Sequence, residues 1–192
     1  MKAIQRCAWP GDDALMTEYH DREWGEPVHD DRLHFEFLVL DAFQAGLSWR
    51  TILYKRENFR KAFRDFDVRK VAKFTAKDFD RLMNDAGIVR NRLKIQATIT
   101  NAQKFLEVQK EFGSFDEFIW QFTKGKTIHH GFKRISQIPA TSKESDAMSK
   151  ELLRRGFRFV GSTICYSYMQ AAGMVNDHTV DCFRYQELRK RR

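Results

Sequence analysis

Two cysteines and two histidines, side chains that bind metal ions, sit at opposite ends of the chain. Cys7 and His20 fall in RCAWPGDDALMTEYHDREWG, and His178 and Cys182 in NDHTVDC. His178 and Cys182 are four positions apart, so on a helix they would share one face and reach one metal. Cys7, on an N-terminal loop, and His20, on a short helix, would complete the Cys2His2 tetrahedron that structural zinc prefers. The halves are too far apart in sequence for a zinc finger, so such a site would staple the two ends of the fold together. Spacing leaves a second reading open, in which the thiols are small buried groups and the histidines ordinary polar residues. Cys165, in a helical stretch among apolar neighbours, reads as core.

Two further stretches could do chemistry. In FQAGLSWRTILYKRENFRKAF, Gly46 ends one helix, and Leu47, Ser48 and Trp49 form a tight loop before a basic helix. An apolar residue on such a loop can act as a wedge between nucleic-acid bases, or Leu47 and Trp49 can simply close the core. In KELLRRGFRFVGSTICYSYMQ, two helices flank a short glycine-bearing hairpin whose amides and helix N-terminus suit a phosphate. Arg154, Arg155 and Arg158 would supply the charge, or serve as solvated arginines at an ordinary turn.

The elements that must position these groups are helices. Leu33, Phe37, Leu38, Leu40 and Ala45 recur at helical intervals from Asp31 onward. Ser48 can cap the next helix, Asp67 another, and Thr75 with Asp78 and Ser114 with Glu117 have capping-box spacing. NRLKIQATITNAQKFLEVQKEF reads as a long amphipathic helix, SKESDAMSKELLRR and STICYSYMQAAG as two more, and 124–141 as the longest loop. Strand alternation is almost absent, so the class is all-α, with about eight to ten helices.

Composition narrows the partners. The 192 residues are 42% hydrophobic, enough for a single core, and Lys+Arg 34 against Asp+Glu 26 leaves a net charge of +8 that favours a polyanion. Seventeen Phe, four Trp and five Tyr suit a base-stacking ligand, although most of the Phe must be core. No run reaches the roughly 18 apolar residues of a membrane span, and no signal-peptide run opens the chain, so a cytoplasmic protein without membrane association is expected. Three cysteines in that compartment argue against a disulfide framework.

Taken in order, RCAW, YHDREWG, FQAGLSW, KRENFRKAF, DAGIVRNRLKIQA and RGFRFVGSTICYSYMQAAGMVNDHTVDC cover nearly the whole chain. These strings resemble the DNA-3-methyladenine glycosylase I family, within the helix-hairpin-helix glycosylase superfamily. The resemblance implies a compact helical enzyme, with one structural zinc on Cys7, His20, His178 and Cys182 joining the termini. It implies that Tyr19 and Trp49 line a pocket and stack on a flipped base. Asp41 falls where the family commonly has a glutamate that bonds the adenine edge, a departure shorter by one methylene, and with Tyr19 it is the expected catalytic pair. Gly46 and Leu47 match the segment inserted toward the abasic gap, and Gly156, Arg158, Gly161 and Ser162 belong to the phosphate-binding hairpin.

In the wider superfamily a catalytic aspartate follows the hairpin, and VNDH places Asn176 there. The hairpin also lacks the lysine that a lyase uses, reading GSTIC. The resemblance therefore implies a monofunctional hydrolase acting on alkylated double-stranded DNA as a monomer, in one domain over 1–185 followed by a basic tail over 186–192. A catalytically silent damage-binding module that has lost turnover through a change such as Asp41 is the rival expectation.

Overall fold

The computed structural model describes residues 4–190. Among them are ten α-helices: α1 (Ala14–Arg22), α2 (Asp31–Gln44), α3 (Trp49–Ala62), α4 (Val68–Val71), α5 (Ala76–Met83), α6 (Arg92–Phe112), α7 (Phe115–Ile119), α8 (Lys143–Arg154), α9 (Ser162–Ala171) and α10 (Phe183–Lys190). The all-α expectation holds, with one addition. Inside the expected long loop, Ile128–His129 forms a two-residue strand, β1, that pairs in parallel with β2, Val175–Asn176.

Helix starts follow the caps that the sequence offers. Ser48 accepts from the Thr51 amide at 3.2 Å, Asp67 caps α4 and Ser114 accepts from the Glu117 amide, while Thr75 and Asp78 close a reciprocal box on α5. Each such cap contributes about 1 kcal/mol.

α2 is the centre of the molecule. Every residue from His34 to Phe43 is buried, so that stretch has no solvent face, and α3, α6, α7 and α9 pack around the helix. Aromatic rings fill the gaps, with Phe105 stacked on Phe115 at 4.0 Å and Phe43 edge-on to Phe59 at 4.8 Å. Burying each such ring contributes roughly 1.5–3 kcal/mol. The polar residues of α2 therefore need partners inside the protein. Glu36 receives Arg56 at 2.6 Å and Arg60 at 2.8 Å, and Arg56 also reaches Glu23 at 2.7 Å. The helix read as basic thus turns two of its arginines inward to tie α1, α2 and α3 together.

Gly173 permits the closest backbone approach. Its φ is +68°, and a Cβ there would lie 2.3 Å from the carbonyl carbon of Glu26. This contact lays the end of α9 against the Glu26–Val28 segment, where the Val28 amide donates to Ala172. α10 then carries the chain past residue 185 and buries Leu188, so the basic segment as far as Lys190 is helical; its last two residues lie outside the described ones. No helix among the described residues is long and apolar enough to cross a membrane.

Candidate active site and metal centre

The distant ends of the chain meet. Cys7, His20, His178 and Cys182 are all buried, and their ligand atoms lie within 4.8 Å of one another. Cys182 Sγ is 3.5 Å from His20 Nε2 and 3.6 Å from His178 Nδ1, Cys7 Sγ is 3.6 Å from His178 Nδ1, and the two nitrogens are 3.2 Å apart. A tetrahedral ion with bonds of about 2.3 Å to sulfur and about 2.0 Å to nitrogen holds those atoms about 3.5 Å and about 3.3 Å apart. The four residues can hold a metal ion.

Surrounding groups prepare the ligands. His178 Nε2 donates to the Trp24 carbonyl at 2.9 Å, which leaves Nδ1 as a lone pair facing the cluster. His20 Nδ1 donates to Asp21 at 2.7 Å, and Arg6 holds Asp21 from the other side. Burial opposes ionisation of Asp21, but Arg6 and His20 together keep its carboxyl below the usual range. The neighbouring Cys7 thiol, with His178 and His20 behind it, holds Cys182 far below its ordinary value, while the nearby Cys182 and burial push Cys7 up. A divalent cation at the centre of the four ligands would favour the thiolate form of both cysteines.

The spacing argument for His178 and Cys182 needs correction. They are not on a helix: they lie in the turn between β2 and α10, closed by the Cys182 amide donating to Thr179 at 2.8 Å. A tight turn brings residues four apart together as effectively as a helical turn does.

Beside the cluster is a cavity of about 350 Å³ walled by Trp9, Tyr19, Trp24, Trp49, Ile135, Ile138 and Ala171, with Asp41, Gln44, Ser167 and Gln170 as its polar points. Tyr19 and Trp49 lie 5.1 Å apart with rings inclined at 44°, and Trp9 meets Trp24 edge-on at 5.1 Å. The centre and the pocket share a wall, since Trp24 packs on His178 at 4.6 Å and Tyr19 precedes His20 on α1.

Asp41 is 2% exposed, and its Oδ2 has no hydrogen-bond partner among the described residues. Burial pushes its carboxyl well above the ordinary range. Tyr19, Tyr168 and Cys165 are pushed up by burial and then by the nearby Asp41 charge; Cys165 reaches about 12. The indole N–H groups of Trp9 and Trp49 are likewise buried without a partner. Unpaired buried polar atoms on an aromatic cavity fit a flat, polar-edged ligand that would satisfy them.

Gly46 and Leu47 sit at the C-terminal end of α2. Gly46 has φ +77° with open space where a Cβ would stand, and Leu47 is 42% exposed. Leu47 therefore does not close the core, whereas Trp49 does pack against it while lining the cavity. Lys94, itself buried, donates to the carbonyls of Phe43 at 2.8 Å and Ala45 at 2.6 Å, so a cation caps this helix end beside Leu47.

Residues 155–161 form a short link between α8 and α9. Gly156 takes φ +90°, and Asn101 clamps Arg158 by accepting from its amide at 2.8 Å and donating to its carbonyl at 2.9 Å. Gly161 is the N-cap of α9 and opens it without a side-chain bond. The Ser162 hydroxyl is engaged by Asp146 and Ser145, which leaves its backbone amide as the free group. Arg154 and Arg155 do not supply free charge: Arg154 pairs with Glu151 at 2.6 Å, and Arg155 pairs with Glu111 at 2.7 Å and Glu151 at 2.7 Å. Among the described residues no acid pairs with Arg158, which is exposed.

Asn176 is fully buried and bonds His129 and the Tyr185 carbonyl, away from the cavity wall. Sequence reasoning assigned no role to Trp9, Trp24, Gln44, Ile135, Ile138, Ser167 or Gln170. The tryptophans stood inside RCAW and YHDREWG, and Gln44, Ser167 and Gln170 inside FQAGLSW and RGFRFVGSTICYSYMQAAGMVNDHTVDC, which was the available signal, whereas Ile135 and Ile138 come from the stretch read as the longest loop.

A family model described as methyladenine glycosylase matches residues 9–185. The chain is 48% identical over 182 residues to DNA-3-methyladenine glycosylase 1 of Escherichia coli (strain K12), covering 95% of this chain and 97% of that protein. A crystal structure of 3-methyladenine DNA glycosylase I superposes with a TM-score of 0.91 at 47% identity, over 93% of this chain and 98% of the other. A structure addressing 3-methyladenine recognition by the Staphylococcus aureus glycosylase I gives a TM-score of 0.90 at 38% identity, over 94% of this chain and 96% of the other.

Proposed function

The chain belongs to the methyladenine glycosylase family, and from that premise we propose that it hydrolyses the N-glycosidic bond of 3-methyladenine in alkylated double-stranded DNA, the first step of base excision repair. The observation that carries this reading is Asp41, a buried carboxyl with an unpartnered oxygen in an aromatic cavity that Tyr19 and Trp49 line.

Methylation at N3 leaves the adenine cationic, so the bond to the sugar is weakened and the base departs neutral without a strong acid. The protein must extrude the nucleotide, which costs a few kcal/mol of unstacking, and hold it. Tyr19 and Trp49 stack on the base, and Asp41 meets its polar edge, where a cation favours the ionised carboxylate. The C1′–N9 electron pair leaves with the base, water adds to C1′ of the sugar cation, and the water proton passes to solvent. No lysine stands in the hairpin GSTIC and no carboxylate at Asn176, which supports a hydrolase without lyase activity.

Leu47 fills the gap in the duplex with Gly46 giving the loop its turn, while the amides of Gly161 and Ser162 and the Arg158 side chain hold the backbone; Gly156, whose own amide is taken by the Leu153 carbonyl at 2.9 Å, shapes the turn instead of donating to phosphate. The enzyme acts as a monomer in the cytoplasm. Zinc is the ion that suits Cys7, His20, His178 and Cys182. With four protein ligands it supplies a closed structural cross-link and no water for attack.

Incubation with methylated duplex DNA, followed by chromatography of released bases, is expected to show 3-methyladenine and no strand scission. Binding to an abasic-site analogue without base release would instead favour a silent damage-binding module. Lys94→Met keeps the aliphatic stem but uncaps the helix end that carries Leu47. It is expected to slow release from duplex roughly tenfold while leaving affinity for free 3-methyladenine unchanged, because flipping is impaired and the pocket is not.

A further inference from the structure

The proposed reaction uses Asp41 and the aromatic walls, but the cavity has another polar point whose orientation is fixed from behind. Gln170, on α9, lines the cavity together with Ser167 and Ala171. Its amide nitrogen donates to Asp177 Oδ2 at 2.8 Å. Asp177 is buried and takes two more donors, the Tyr166 hydroxyl at 2.7 Å and His130 Nδ1 at 2.6 Å. Three donors converging on one carboxylate leave it only the role of acceptor, so the –NH2 end of Gln170 must face it. The oxygen end of the amide is then the one left for the cavity, and it accepts no hydrogen bond among the described residues.

We propose that Gln170 is a specificity-determining residue: its side-chain oxygen, aimed by Asp177, accepts a hydrogen bond from the amino group at C6 of the bound base. This inference rests on the glycosylase reading and adds to it the discrimination between adenine and guanine lesions. Adenine presents an N–H donor at C6 and guanine a carbonyl acceptor. A 3-methylguanine in the same orientation sets its O6 against the Gln170 oxygen, two acceptors without a proton between them, and a site built around a hydrogen bond rejects the analogue that cannot make it. Asp177 is the positioning residue here, since a free amide could turn over and welcome either base.

The test measures dissociation constants of free 3-methyladenine and free 3-methylguanine on the metal-loaded protein by quenching of tryptophan fluorescence, since Trp9, Trp24 and Trp49 line the cavity. Gln170→Met keeps the length and removes both polar ends. It is expected to lower the preference for 3-methyladenine roughly tenfold. In the double variant Gln170→Glu with Asp177→Asn, the new carboxylate must take its donor from the Asn amide and again turns an acceptor toward the cavity. That variant is expected to restore the preference.

An unchanged preference in Gln170→Met would overturn the specificity role. A double variant that stays at the Gln170→Met level would overturn the aiming by Asp177. Each preference is a ratio of two dissociation constants on the same variant, so the folded fraction cancels. If the unsubstituted protein binds neither base, the glycosylase reading fails and this inference with it, an outcome distinct from binding that Gln170→Met leaves unaltered.

Discussion

Asp41→Asn is expected to slow release of 3-methyladenine roughly 100-fold, the scale for losing an oriented charge-stabilising group, while making the protein more stable at neutral pH. The two effects share one cause. Asp41 is buried in the neighbourhood of Tyr19, Tyr168 and Cys165, none of them a cation, and burial raises its pKa in the folded state well above 3.8. Between the unfolded and folded pKa values the native protein holds one proton more than the unfolded chain. Stability therefore falls as pH rises through that window, by up to about 1.4 kcal/mol per pH unit from this group. Below the unfolded value the acid is protonated in both states, and aspartate and asparagine differ little. Thermal melting across pH 5 to 8 should show the advantage of Asp41→Asn growing with pH. Asp41→Glu should keep the sign of the pH dependence, which separates titration from packing. An asparagine variant less stable than the unsubstituted protein at pH 7 would mean that Asp41 is ionised and satisfied in the empty pocket, contrary to its unpartnered Oδ2.

Cys182→Ser is expected to lose the bound metal and to lower the melting temperature by about 10 °C, equivalent to roughly 3 kcal/mol for a chain of this size. The centre joins the N-terminal loop, α1 and the turn before α10, segments far apart in sequence, so its loss frees both ends together. The large α2-centred core persists, and for that reason the chain should not unfold outright as a small zinc module does. Elemental analysis of the unsubstituted protein should give close to one zinc per chain. Base release should decline with the folded fraction and recover under conditions that restore folding, because the four ligands leave no open position for chemistry. A variant with intact stability but no activity would assign the metal a chemical role and overturn the structural one.

Much of the site was legible because its residues belong to unusual types or combinations. Donor chemistry made Cys7, His20, His178 and Cys182 one of two open readings, which the family resemblance then favoured, and the glycine stop and serine cap of GLSW marked a tight loop without deciding whether Leu47 is exposed. The cause given for one pair was nonetheless incorrect, since a turn and not a helix unites His178 with Cys182. Arg154 and Arg155 show a different limit. A cation count cannot tell an arginine facing phosphate from one neutralised by a glutamate 44 positions away, as Glu111 does for Arg155. Gln170 shows a third, because glutamine is ordinary on any helix and acquires meaning only when Asp177 fixes which end of its amide faces the cavity.

By itself the sequence determined the helical class, most helix starts and the family strings, and it singled out the four donors at the two termini as a candidate set. These depend on local chemistry: periodicity, a capping side chain within three residues, and side chains that bind metals regardless of context. Tertiary structure alone decided that α2 is buried on every side from His34 to Phe43, that Asp41 Oδ2 lies without a partner among the described residues in the wall of an aromatic cavity, and that Arg56 and Arg60 face inward to Glu36. Burial, desolvation and the pairing of distant charges arise only when separate segments pack together, and the same residue in the same local sequence can end in water or in the core.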